Sequence, residues 1–200
     1  MRPKRPFRDV PFTRPSDAPA PRAAKSGALQ RPELREVLQP NSLQCFVCGL
    51  DNPYGLQACF YQTGEKEATA WYTIPEQFQG YPGIAHGGVV ASLLDEVVGR
   101  SVMGADTSQA RLLFTARLTV KYRKHVPTGV LLRIVGRAVK DRGRMVTAWG
   151  GVFLADEDPE TAQPLAEAES LLMAVPEDVL AEMDPDQLGW KVYPDCTPEE

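Results

Sequence analysis

"GIAHGGVVASLLDEVVG", residues 83–99, is the stretch whose reading decides the fold. It opens on His-Gly-Gly and runs on as an apolar segment that carries two adjacent carboxylates, Asp95 and Glu96. From Gly87 to about Met103 the apolar side chains fall at 89, 90, 93, 94, 97, 98 and 102. At about 100° per residue they cover well over half of a helix circumference, where a surface helix needs only a stripe. The helix must therefore be covered on most sides. Gly104 supplies its stop.

The flanking segments supply the cover. Upstream, "LQACFYQ" (56–62) and "EATAWYTI" (67–74) read as two strands joined by the polar turn "TGEK", and "QFQGYPGIAHGG" (77–88) reads as a glycine-rich loop. Downstream, strands are expected over 112–124, 130–140, 144–154 and 164–175. "KDRGR" (140–144) forms a tight hairpin with Gly143 at positive φ. "PEDVLAEM" (176–183) reads as a short acidic helix, after which the chain is expected to fray. The pattern predicts an α+β domain over 41–175, with about six antiparallel strands curled around one long central helix.

Bulk properties narrow the function. The chain has 200 residues, of which 43% are hydrophobic and 24% charged, as in an ordinary soluble protein. A net charge of −4 speaks against nucleic acid as a bulk partner. The charge is uneven: residues 1–28 hold seven Lys or Arg against two acids, and residues 176–200 hold eight acids against Lys191 alone. Residues 1–40 read as a disordered Pro/Arg-rich tail and 176–200 as an acidic extension, with a nucleic-acid or membrane arm the lesser reading of the basic end. No apolar run reaches the roughly 20 residues of a membrane span, and no apolar leader opens the chain, so a cytoplasmic protein is expected. Of the cysteines Cys45, Cys48, Cys59 and Cys196, the first two form a C-x-x-C in "CFVCG" without a second ligand pair at zinc spacing. A structural role or buried thiol pair is expected there. A metal shared across an oligomer and redox chemistry are the alternatives.

The two helix carboxylates read differently. Glu96 stands four residues before Arg100, so a surface or rim ion pair accounts for it. Asp95 has only Ala91, Ser92 and Gly99 around it on its helix, small residues that leave a groove open over the carboxylate. Burial raises a carboxyl pKa, which suits Asp95 to general-base work or nucleophilic attack, against the plainer reading of a solvated or interface side chain. Gly87 and Gly88 open the helix, where backbone N–H groups lack intrahelical acceptors and negative charge is favoured. Asp95 lies about two turns, roughly 11 Å, further along. A single acyl group bridges that gap poorly within one helix, but a pair of antiparallel central helices would bring one chain's Asp95 to the other's Gly87. A composite site in a dimer is therefore expected.

"PGIAHGGVVASLLDEVVG", with "CFVCGLDNPYGL" before it and "FTARLTVKYRK" after it, resembles the PaaI-like branch of the hotdog-fold acyl-CoA thioesterases over about 45–175. The resemblance implies a hotdog fold and hydrolysis of acyl-CoA by a homodimer or a dimer of dimers. It makes Asp95 the catalytic carboxylate, Gly87 the N–H donor to the thioester carbonyl, and His86 a residue that shapes that pocket. Thr115 would position water or the carboxylate, and Gln79 is the nearest candidate for a loop amide on the substrate. Each has a plain alternative: His86 as a helix-entry residue, Thr115 as an ordinary strand residue. Gly88 joins Gly87 as a backbone donor, and Lys140, Arg142 and Arg144 are candidates for the coenzyme A phosphates, unless the hairpin is merely solvated. His125 is read as uninvolved. No metal or redox cofactor is expected, coenzyme A entering only as part of the substrate. The rival functions are a non-catalytic acyl-CoA-binding module and a hotdog hydratase or dehydratase.

Overall fold

The computed structural model describes residues 37–106, 110–182, 188–193 and 196. The basic arm before residue 37 and part of the acidic end lie outside the described residues. Within them, strands β1 (Val37–Leu38), β2 (Tyr61–Gly64), β3 (Glu67–Thr73), β6 (Leu113–Tyr122), β7 (Leu131–Asp141), β8 (Met145–Leu154) and β9 (Ala166–Ala174) form one antiparallel sheet in the order β1-β2-β3-β7-β8-β9-β6. Helix α1 (Gly87–Met103) lies across it, and a short helix α2 (Glu177–Glu182) follows. The sheet has seven strands rather than six because Val37–Leu38, four residues ahead of the expected domain start, pairs with β2.

The helix starts and stops where glycines allow it. His86 caps its N-terminus, and Gly104 at φ 79° ends it. Val89, Val90, Leu93, Leu94, Val97 and Val98 are all buried against the sheet, as the apolar spacing requires. Two strand glycines let helix and sheet meet closely. A Cβ at Gly136 would stand 2.2 Å from the Val97 carbonyl oxygen, and one at Gly150 would stand 3.0 Å from Val98. Missing side chains under the helix are what bring it onto the sheet.

Four sequence expectations change. "LQACFYQ" contributes only its last two residues to a strand, since pairing begins at Tyr61. The glycine-rich loop contains a small ribbon of β4 (Gln79–Tyr81) and β5 (Ile84–Ala85), turned at Gly83 with φ 75°. Arg100 is not on the rim: it is 1% exposed, donates to the Pro40 carbonyl at 2.6 Å and Asn41 at 3.1 Å, and lies between the rings of Phe60 and Trp190. The chain does not simply fray after α2. Lys191 bridges Asn41, and Cys196 forms a disulfide with Cys59.

Candidate active site

The helix N-terminus is organised by His86. Its own N–H reaches the Phe78 carbonyl, and its Nδ1 accepts the Gly88 N–H at 3.0 Å. With Nδ1 an acceptor, a neutral His86 carries its proton on Nε2. Gly88 is thereby used up as a donor. The Gly87 N–H, by contrast, has no acceptor among the described residues. The carbonyl of Gly87 is held by the Tyr122 hydroxyl, which donates to it at 2.6 Å. That tie clamps the first helical residue to β6, beside a cavity of about 360 Å³ lined by Gly87, Val90, Tyr122, Lys124, His125 and Val126 among others. The volume is within the range of small-molecule sites.

Asp95 sits in the middle of α1, half-buried. Thr115, on β6, donates its hydroxyl to Asp95 Oδ1 at 2.7 Å, so the carboxylate does have a partner, contributed by another element rather than by its own helix. Burial pushes the Asp95 carboxyl above its ordinary range; the Thr115 hydrogen bond opposes the shift and neighbouring Glu96 adds to it. A Cβ placed on Gly99, one turn further on, meets nothing within 4 Å, so the groove expected over the carboxylate is open. Glu96 points the other way and pairs with Arg100 Nε at 2.9 Å.

The remaining expected residues are dispersed. Gln79 turns its side-chain oxygen onto the Gly83 N–H at 3.2 Å, bracing the ribbon beside His86. Lys140, Arg142 and Arg144 are exposed on the β7–β8 hairpin. That hairpin lies by the far end of α1: Asp141 pairs with Arg111 at 2.8 Å, and the Arg111 N–H reaches the Met103 carbonyl. Within one chain it is therefore a helix length away from Gly87. The basic side chains that do line the Gly87 cavity are Arg123 and Lys124, with His125 beside them, and Arg123 is already paired with Glu167. His125, read from the sequence as uninvolved, stands on that wall. Tyr122 was also missed, although it stands in the quoted "LTVKYRK".

Comparison with known proteins bears on the fold. Residues 82–160, which include the whole of α1 and both Asp95 and Thr115, match the model of the thioesterase superfamily. Over this stretch the chain is similar to the thioesterase superfamily. The domain's likeness to solved structures carries the fold: a crystal structure of a thioesterase superfamily protein matches at TM-score 0.54 and 27% identity, over 64% of this chain and 59% of that one. The E. coli PaaI protein matches at TM-score 0.52 and 14% identity, over 60% and 81%. The hotdog architecture expected from the sequence is what the domain has. Among curated proteins, acyl-coenzyme A thioesterase THEM4 of Xenopus laevis is 29% identical over 93 residues, 46% of this chain and 40% of that protein. The chain spans about half the length, or less, of the curated relatives it matches. Among the described residues no helix is long and apolar enough to cross a membrane.

Proposed function

We propose that the protein hydrolyses acyl-CoA thioesters to a free acid and coenzyme A, with Asp95 of one subunit working against the Gly87 N–H of another. The observation that carries the reading is the carboxylate of Asp95, half-buried on an open helix face and fixed by Thr115 at 2.7 Å. A carboxylate so held can take a proton from water or attack the thioester carbonyl itself. The unused Gly87 N–H, at the positive end of α1, is placed to receive the oxygen as negative charge develops on it. His86 keeps the competing Gly88 donor occupied, and Tyr122 holds the Gly87 peptide in its orientation. The acyl-CoA substrate class rests on the likeness to the thioesterase superfamily and on the similarity to acyl-coenzyme A thioesterase THEM4.

A dimer would serve the chemistry geometrically. Eight residues separate Gly87 from Asp95, about 12 Å along one helix, too far for a single carbonyl. The ten-residue strand β6 is a sheet edge, with Phe114 49% and Tyr122 53% exposed, and a second copy pairing there would cover it. The hydratase reading needs Asp95 and His86 poised over one acyl chain. One ring nitrogen of His86 is committed to the cap and is not available for that role.

The test is free-thiol release across an acyl-CoA panel with Asp95→Asn beside the wild type. The variant is expected to lose at least about 10²-fold in turnover. Because burial raises the folded-state pKa of Asp95, ionising it costs folding stability as pH rises from the unfolded value through the folded one. At pH 7 the variant should therefore melt no lower than the wild type. Near-normal hydrolysis would remove Asp95 from the mechanism. Tight binding without turnover by the wild type would favour the non-catalytic module.

A further inference from the structure

The Cys-x-x-Cys pair takes no part in the site above, and the structure supplies it with a third partner. Among the described residues, Cys45 Sγ, Cys48 Sγ and a Glu96 carboxylate oxygen all lie within 4.8 Å of one another. Glu96 divides its two oxygens: Oε1 accepts Arg100 Nε at 2.9 Å, and Oε2 faces Cys45 Sγ at 3.8 Å. The cysteine segment is folded as a knuckle. The Val47 N–H donates to Cys45 Sγ at 3.3 Å, and the Gly49 N–H reaches the Cys45 carbonyl at 2.9 Å. Gly49 is required there, because a Cβ would stand 2.4 Å from the Cys45 carbonyl oxygen.

We propose that Cys45, Cys48 and Glu96 bind one divalent zinc-class metal ion, fastening the 45–49 knuckle to the middle of α1. Zinc takes sulfur at about 2.3 Å and carboxylate oxygen at about 2.0–2.2 Å in a tetrahedron, so its ligand atoms stand roughly 3.5–3.8 Å apart. The 3.8 Å between Cys45 Sγ and Glu96 Oε2 already meets that spacing. Two thiolates with a single carboxylate favour zinc over the hard cations magnesium and calcium, which seek oxygen. Binding exchanges two thiol protons for the ion, and both protons leave to solvent. The charges of the two thiolates, Glu96, the ion and buried Arg100 then sum to zero. Arg100 acts as the outer partner that orients the ligating carboxylate, itself fixed by Pro40 and Asn41. The fourth position is left for water.

This site is independent of the proposed hydrolysis and is tested without it. The full-length protein, reduced and stripped with a chelator, is titrated anaerobically with cobalt(II), whose thiolate bonds give an intense near-ultraviolet band. One equivalent per chain is expected to develop the band, and Cys45→Ser and Cys48→Ser should each weaken binding by at least about 100-fold, no less than the loss of an outer partner costs. Should either variant misfold, the wild type alone decides: zinc should slow alkylation of Cys45 and Cys48, read peptide by peptide by mass spectrometry. Absence of a cobalt band, a band unchanged in both variants, or equal alkylation with and without zinc overturns the proposal. So does a Cys45–Cys48 disulfide that takes up no metal once reduced.

Discussion

Two opposing influences act on the Asp95 carboxyl. Burial disfavours its charge, and the Thr115 hydroxyl favours it. Removing the hydroxyl leaves burial unopposed and raises the carboxyl pKa further. If catalysis needs the ionised form, activity is lost as pH falls through that pKa. Thr115→Val should then move the acid limb of the kcat/KM profile to higher pH, and an unmoved limb would show that the hydrogen bond does not tune the reacting group. Gly87 can be tested just as narrowly. It is the first helical residue, where proline is tolerated, and His86 before it has φ −63° and ψ 133°, the extended backbone that a following proline requires. Gly87→Pro deletes the N–H and keeps the helix start. A loss of about 10²–10³-fold in kcat is expected, the usual cost of one oxyanion donor, with far-UV circular dichroism unchanged. At this scale the sequence was legible where a residue's role follows from its own helix: the groove over Asp95 and the free donor at Gly87. Arg100 was not legible, because Pro40, Phe60 and Trp190, which enclose it, lie far from it in the chain.

Among the elements, α1 and the long strands were the easiest to place. The helix combines a run of valines and leucines with glycines at both ends, so its limits are written in residue type. The hairpin "KDRGR" was equally plain, with Gly143 at φ 74°. The short pieces escaped. Val37–Leu38 and Ile84–Ala85 are two residues each, too brief to show any alternation. Nor could position along the chain reveal that the "KDRGR" cations and Gly87 sit at opposite ends of the helix, since that depends on the direction in which β7 crosses it. The closeness of helix to sheet makes its own prediction. Gly136→Ala places a carbon 2.2 Å from the Val97 carbonyl, backbone against backbone, where no rotamer change relieves the clash. It should destabilise the protein by about 2 kcal/mol or more, at the upper end for overpacked interiors, as measured by urea unfolding. A smaller effect would mean that the helix rides higher on the sheet.

For the whole molecule, the decisive question is whether one active site takes residues from two chains. Asp95→Asn and Gly87→Pro subunits should each be inactive alone. Co-expressed, they should form mixed dimers in which one of the two composite sites keeps both an intact Asp95 and an intact Gly87. Mixed dimers isolated with two different affinity tags should recover close to half of the wild-type activity per dimer. No recovery, with the mixed dimer shown to form, would place both groups in the same chain. The same assembly would resolve why the "KDRGR" cations lie so far from Gly87 within a subunit, for antiparallel helices bring opposite ends together.

The bond between Cys59 and Cys196 joins positions 137 residues apart and spans nearly all of the described fold. A protease that cuts any surface loop between them severs the backbone without freeing either piece. Such a nicked molecule migrates as one species on a denaturing gel run without thiol and separates only when thiol is added. An apparently intact band is therefore no proof of an uncut chain.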